Sequence, residues 1–252
     1  MDSIFKQLTK ELNIFNLQNS DRIAEKMYRF MDLVLERNEN INLTTVTEKD
    51  EFIKRHLIDS VSCYGWPEIV ASNKIVDVGT GAGFPGIPLA LCYPEKNFLL
   101  VDSLGKRIDF INDAIRELEI SNVQTLHARA EDAGRNPYIR DKYDLCITRA
   151  LAPLNILLEY CLPMVKPEGY LYAYKTKKAV EEIEDANLAL RLLGASTDVE
   201  IRQYDKRRIE NREKEGIEKE SLYSLNIFII RKVSETPKEY PRKAGTPKKI
   251  PL

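Results

Sequence analysis

The stretch Val76-Asp77-Val78-Gly79-Thr80-Gly81-Ala82-Gly83-Phe84-Pro85-Gly86 decides how this 252-residue chain is read. An apolar run from Lys74 to Val78 predicts a strand, the glycines after it a tight turn, and Gly86–Cys92 the helix that follows. Glycine reaches positive φ without penalty and lets a ligand approach the backbone closely. The first N–H groups of the helix lack intrahelical partners and face whatever sits in the turn. The expectation is a nucleotide-type pocket on a βαβ unit.

Further strands are expected at Asn97–Asp102, Val123–His127, Tyr143–Thr148 and Gly169–Lys175. Helical patterns lie at Lys106–Leu118, Leu154–Met164 and Lys178–Leu193. Such alternation predicts a parallel sheet with right-handed crossovers. Before it, residues 3 to about 64 read as helices. Ser20 is the expected N-cap of one and Thr47 with Asp50 a capping box for another, in which Arg55, His56 and Asp59 fall together. That cluster is either a site or a solvated face packed on the next unit. After the sheet, Thr197–Tyr204 and Leu222–Arg231 predict an antiparallel edge pair around a charged run. Residues 236–252 carry four prolines, and five Lys/Arg against one Glu give a local charge of +4. Without an apolar face this tail has little reason to pack. The organisation expected is a helical extension (1–66), a catalytic domain (67–235) and a basic tail (236–252).

Composition excludes some classes. Lys+Arg 38 against Asp+Glu 39 leaves a net charge of -1, so any polyanion-binding surface must be local. The four cysteines form no C-x-x-C pair and three sit in apolar runs, so neither a disulfide framework nor a metal site is expected. No apolar stretch has membrane-spanning length and no leader is recognisable, so a cytoplasmic protein without a membrane partner, as a monomer, is expected.

Two nucleotides compete for the turn. Gly81-Ala82-Gly83-Phe84-Pro85-Gly86 is a literal G-x-G-x-x-G, and Asp102 ends the next strand 21 residues after Gly81, where a ribose-binding acid belongs in a dinucleotide fold. Asp77, however, lies two residues before Gly79. A carboxylate there repels a pyrophosphate and attracts the sulfonium and ammonium of S-adenosylmethionine. Leading helices and an antiparallel edge pair also suit a class I S-adenosylmethionine-dependent methyltransferase, an α/β, Rossmann-like fold. Asp77, Gly81 and Asp102 are the expected donor-binding residues, with a nicotinamide-dependent oxidoreductase as the alternative.

The chain also resembles a family, the bacterial small-subunit ribosomal RNA methyltransferases G (glucose-inhibited division protein B), from the helical segment to the end. The marks are Asn40-Ile41-Asn42-Leu43-Thr44, the segment Arg55-His56-Leu57-Ile58-Asp59-Ser60, and the glycine turn through Ala90. They continue with Val101-Asp102-Ser103, Lys106-Arg107, Ala128-Arg129-Ala130-Glu131, Arg149-Ala150 and the segment from Tyr240 to Pro247. The resemblance implies methylation of N7 of guanine 527 in the 530 loop of 16S rRNA, and donor contacts at Gly79, Phe84, Ala130, Glu131 and Arg149. Relatives often carry an Arg entering the last strand. This chain has Ser224-Leu225-Asn226; if the relatives' Arg helps hold RNA, that job falls here to neighbours such as Arg207, Arg208 or Arg231.

Guanine N7 offers a free lone pair, so no general base is expected, and Arg149 is the expected catalytic residue, by positioning alone. The fourth strand is followed by Thr148-Arg149-Ala150-Leu151-Ala152-Pro153-Leu154 rather than the Asn-Pro-Pro-Tyr-like segment usual in enzymes that methylate exocyclic or side-chain amides. Glu131 is read as accepting from the adenine amine or capping the next helix. Contacts to 16S rRNA or the small subunit are expected at His56, Lys106, Arg107, Arg129, Lys175, Arg207, Arg208 and Arg242. A non-catalytic ribosome-binding module with a vestigial pocket is the remaining alternative.

Overall fold

The structure is a computed structural model that describes residues 3–203 and 225–252. Two helices, α1 (Ser3–Asn13) and α2 (Ser20–Asn38), open the chain. Helix α3 (Lys49–Phe52) then runs into a π-helical stretch (Ile53–Ile58), α4 (Asp59–Val61) and α5 (Pro67–Ala71). The sheet unit follows as β1 (Lys74–Val78), α6 (Gly86–Cys92), β2 (Asn97–Asp102), α7 (Gly105–Glu117), β3 (Val123–His127), α8 (Ala130–Arg135), β4 (Tyr143–Arg149) and α9 (Leu154–Cys161). It closes with β5 (Val165–Thr176), α10 (Glu182–Asp185), α11 (Asn187–Leu192), β6 (Glu200–Gln203) and β7 (Leu225–Arg231).

The strands form one seven-stranded sheet in the order β3-β2-β1-β4-β5-β7-β6. Strands β1 to β5 run parallel, whereas β7 pairs antiparallel with both β5 and β6. The expected edge pair is therefore present, with β7 inserted and β6 outermost. The inner strands are apolar on both faces because helices cover both. Successive residues serve opposite cores: Ile75 and Leu100 belong to one, Val76, Leu99 and Val101 to the other.

The first core also contains the N-terminal helices. Phe30 of α2 is fully buried, with ring centroids 5.3 Å from Phe84 and 6.4 Å from Phe110. Truncating such an aromatic costs about 3–5 kcal/mol. The helical extension is thus part of the layer that covers one face of the sheet, and it reaches the glycine turn.

Several local expectations fail. Ser20 is the first residue of α2. Asn19 holds the cap position in the left-handed region, with no side-chain cap bond. Thr47 caps nothing, since Glu48 precedes α3 without a side-chain bond. The helix expected at Lys178–Leu193 is divided into a 3-10 turn (Lys177–Glu181), α10 and α11.

The tail also departs from expectation, for it packs. Arg140 donates to the carbonyl oxygens of Tyr240 (2.8 Å), Thr236 (2.5 Å) and Pro237 (3.1 Å). Arg135 donates to Pro241 O (2.8 Å). Cations on the body satisfy tail carbonyls, and Tyr240 and Leu252 pack against the second core.

Candidate functional site

Parallel strands bring their carboxyl ends to one edge of the sheet, where ligands bind in such folds. At that edge Gly79 and Thr80 both donate N–H to Val101 O, at 2.8 and 3.1 Å, which presses the turn against β2. Gly79, Gly81 and Gly83 take φ of 71, 61 and 99°. Asp77 lies fully buried beneath them. Its Oδ2 accepts from the Thr80 hydroxyl (2.7 Å) and from Gly86 N–H (2.9 Å), tying strand to helix. A Cβ at residue 86 would stand 2.7 Å from that oxygen, so the tie requires glycine there. The reading of Asp77 as a simple counter-charge in the turn is corrected by this: half of its carboxylate holds the turn together.

Its other half is free. Asp77 Oδ1 is buried and has no hydrogen-bond partner among the described residues. Burial pushes the carboxyl up to about 7, against the opposing bonds from Thr80 and Gly86 and the charge of Arg149. A buried, partnerless carboxylate oxygen under a glycine turn fits a cationic ligand and not a pyrophosphate. A Cβ on Gly81 would meet nothing within 4 Å, so the turn faces open space. These features fit S-adenosylmethionine.

On the β2–β3 flank of the turn is a cleft of about 210 Å³ lined by Gly79, Asp102, Ser103, Arg107, Ala130 and Leu151, among others. Asp102 is 4% exposed. Its Oδ2 accepts from Gly81 N–H and its Oδ1 from Leu104 N–H, each at 2.9 Å. A carboxylate has about four acceptor positions, so room remains for hydroxyl donors. Arg107, expected at the RNA, instead lines this cleft, with Nη1 3.5 Å from Asp102 Oδ2. Glu131 neither lines the cleft nor caps α8. Its Oε1 accepts from Gly245 N–H (2.7 Å), fastening the C-terminal segment beside Ala130.

On the β4 flank, Arg149 does not line the cleft; it turns toward the N-terminal helices. Nη1 donates to Arg55 O (2.9 Å), Nη2 to His56 Nδ1 (3.1 Å), and the guanidinium carbon lies 5.3 Å from the centroid of Phe84. Phe84 is only 5% exposed and stacks on the His56 ring at 4.7 Å. It therefore supports this flank from below. Burial pushes the Asp59 carboxyl up to about 7, while Arg149 and Arg55 pull it down. Ala150, next to Arg149, has φ 54°, a left-handed conformation uncommon for a residue with a Cβ, and it lines the cleft. No sequence signal marks this strained step between the two flanks.

The expected RNA contacts divide. Lys106 and Arg129 are exposed beside the cleft. His56 is committed to Arg149 and Thr44. Lys175 is committed too: its Nζ donates to Ala152 O (2.7 Å) and Glu182 Oε2 (2.6 Å), which fixes the loop after β4. Arg242 pairs with the fully buried Glu159, Nη2 to Oε2 at 2.6 Å, as the main anchor of the C-terminal segment. Arg231 pairs with Glu168 at the opposite end of the sheet, facing Tyr170 across the β5–β7 ladder. Arg207, Arg208 and Ser224 lie outside the described residues, as do the side chains of Lys177 and Lys178.

Comparison with known proteins places this site in a family. The family model described as rRNA small subunit methyltransferase G matches residues 23–209. The chain is 43% identical over 237 residues to ribosomal RNA small subunit methyltransferase G of Desulfitobacterium hafniense (strain Y51), covering 94% of this chain and 92% of that protein. It is 39% identical over 251 residues to the protein of that name from Desulforamulus reducens (strain ATCC BAA-1160 / DSM 100696 / MI-1), covering 98% and 96%. Among solved structures, the apo form of the S-adenosylmethionine-dependent methyltransferase SibL matches with a TM-score of 0.51 at 14% identity, over 69% of this chain and 54% of that one, a likeness of fold. A glycine turn over a buried acid, a second buried acid ending β2, and this similarity along nearly the whole chain agree: the chain belongs to the rRNA small subunit methyltransferase G family.

Proposed function

We propose that the chain transfers a methyl group to N7 of guanine 527, in the 530 loop of 16S rRNA, with the two flanks of the glycine turn dividing the work. Membership of the family makes it an S-adenosylmethionine-dependent methyltransferase of 16S rRNA. The choice of N7 and the residue roles are the proposal.

The observation that carries the choice of N7 concerns the one imidazole on the β4 flank. Both nitrogens of His56 are committed, Nδ1 to Arg149 and Nε2 to Thr44. A hydroxyl or exocyclic amine nucleophile must lose a proton, whereas N7 attacks through a lone pair and loses none. A flank whose imidazole is occupied in structure, and whose prominent charge is an arginine, suits a nucleophile that needs placement only. Orientation of reactants contributes about 7–11 kcal/mol in favourable cases, enough for such an enzyme to work without a base.

In this reading Gly79, Gly81 and Ala130 let the donor lie against backbone, and Asp102 accepts from its ribose hydroxyls. Bound there, S-adenosylmethionine supplies an electrophilic methyl on a sulfonium. Asp77 stabilises positive charge from beneath the turn, and Arg149 orients the donor's carboxylate or guanine O6. Phe84 keeps Arg149 raised toward the edge of the sheet. Lys106 and Arg129 meet phosphates at the rim of the cleft, which positions RNA without reading its sequence. A target guanine inside a folded loop must be splayed out to reach this edge. One chain carries both flanks, which supports a monomer, and the ribosomal substrate supports a cytoplasmic location.

The test is mass mapping of nucleotides in 16S rRNA from cells with and without the gene. The expected result is 7-methylguanosine at position 527 only where the gene is present. A methyl at that position in both strains, or a methyl on another atom or nucleotide that depends on the gene, refutes the proposal.

A further inference from the structure

We infer that His56 is a positioning residue: its ring holds the Arg149 guanidinium in the orientation methyl transfer needs, and the segment from Asn38 to Thr44 fixes that ring. The inference rests on the reading of Arg149 as a residue of the transfer site.

Hydrogen-bond chemistry assigns the tautomer. A guanidinium only donates, so Nδ1 of His56, 3.1 Å from Arg149 Nη2, is the acceptor. The ring proton then sits on Nε2 and is donated to Thr44 Oγ1 at 2.7 Å. Thr44 Oγ1 also accepts Val46 N–H at 3.0 Å. Thr44 is held in turn by Asn38, whose Oδ1 accepts the N–H groups of Leu43 (2.7 Å) and Thr44 (2.9 Å).

The ring plane is fixed as well. Phe84 stacks on it with 14° between planes, and Phe52 meets it edge-on at 4.7 Å. The π-helical stretch Ile53–Ile58 presents two consecutive residues to one guanidinium, Arg55 through its carbonyl and His56 through Nδ1. Such wide turns cluster at functional sites because they redirect groups that a regular helix would not. Burial and the charges of Arg149 and Arg55 push the His56 pKa down to about 3, so Nδ1 stays an acceptor. This gives a purpose to two segments, Asn40–Thr44 and Arg55–Ser60, which the donor cleft alone leaves unexplained.

Four variants of the full chain test it: His56→Phe, His56→Asn, Arg149→Ala and the double variant His56→Phe with Arg149→Ala. Phenylalanine keeps the stacking and loses both hydrogen bonds. Asparagine returns an acceptor near the place of Nδ1. Readouts are kcat and KM with 16S RNA, affinity for S-adenosylhomocysteine, and Tm.

His56→Phe is expected to lower kcat by roughly 10- to 100-fold, the range for losing a hydrogen bond to a charged group, with little change in RNA KM or Tm. His56→Asn is expected to recover most of that loss. Adding His56→Phe to Arg149→Ala is expected to cost no further activity, because the two act as one unit. Wild-type kcat in His56→Phe, no recovery in His56→Asn, or additive losses in the double variant overturn the inference. A fully active Arg149→Ala overturns the reading of Arg149 itself, whereas an inactive Arg149→Ala beside an active His56→Phe overturns only the role of His56. If His56→Phe does not fold, Thr44→Val breaks the same chain one link further out and is expected to lower kcat in the same direction; unchanged kcat there counts against the inference.

Discussion

The two flanks of the glycine turn are built at very different ranges. On the β2–β3 flank, Asp102 reaches back to Gly81 N–H, 21 positions earlier, within one βαβ unit. On the β4 flank, Arg149 is held by Arg55 and His56, 94 and 93 positions earlier, through helices that are not part of the sheet. The first flank's Asp102 contact closes within that single unit. The second exists only once the N-terminal helices dock through Phe30, Phe52 and Phe84. In the proposed reading, donor binding resides in the short-range flank and placement for transfer in the long-range one.

The largest expected effect breaks the long-range flank. Arg149→Ala should lower methyl transfer by about 10²–10³-fold, as loss of a preorganised hydrogen-bond donor does, with a much smaller change in S-adenosylhomocysteine affinity. Equal losses in both would mean that Arg149 holds the donor's carboxylate rather than guanine O6. Next comes the C-terminal segment, fastened to both the body and Glu131. Arg242→Ala leaves the buried Glu159 carboxylate without its cation and should cost about 2 kcal/mol of stability by urea unfolding. Weaker RNA binding with unchanged stability would instead restore Arg242 as an RNA contact.

A pH experiment sharpens what lies beneath both flanks. The Asp77 carboxyl, raised to about 7, is mostly neutral at pH 6 and mostly ionised at pH 8. A cationic donor prefers the ionised form, so its affinity should rise about tenfold across that interval, with proton release on binding visible by calorimetry in buffers of different ionisation enthalpy. A pH-independent affinity would mean that the donor's charge does not feel Asp77. The smallest effect belongs to the rim. Lys106→Ala should weaken RNA binding about threefold and reduce the salt dependence by about one counterion.

The difference in range also explains what the sequence made legible. The bounds of β1, β2, β3 and α6 agree with the reading, because apolar runs and glycine punctuation are local signals. Asp102 beside the turn was legible for the same reason. The tasks of the cations were not. Lys175, Arg242 and Arg107 look like RNA contacts in a chain written out linearly, and each has a carboxylate partner in the fold, at Glu182, Glu159 and Asp102. Two of those partners, Glu182 and Asp102, are within seven residues, yet a short separation does not reveal which charge is already spent. The tail seemed unable to pack because its own sequence lacks an apolar face. Arg135, Arg140, Glu131 and Glu159, at least 83 residues away, hold it, together with the packing of Tyr240 and Leu252 on the second core. The expected cap at Ser20 failed because Asn19 enters the helix from the left-handed region, which no propensity rule for serine anticipates.

The most direct test of the division between flanks is a calorimetric titration of Asp102→Ala and Asp102→Asn with S-adenosylhomocysteine, with Tm measured on the same samples. The alanine variant should bind at least about tenfold more weakly, the loss expected for hydrogen bonds to a charged group, and the asparagine variant should fall between it and the native chain, with both folded. Native affinity in a folded Asp102→Ala protein would contradict the assignment of the donor to the β2–β3 flank.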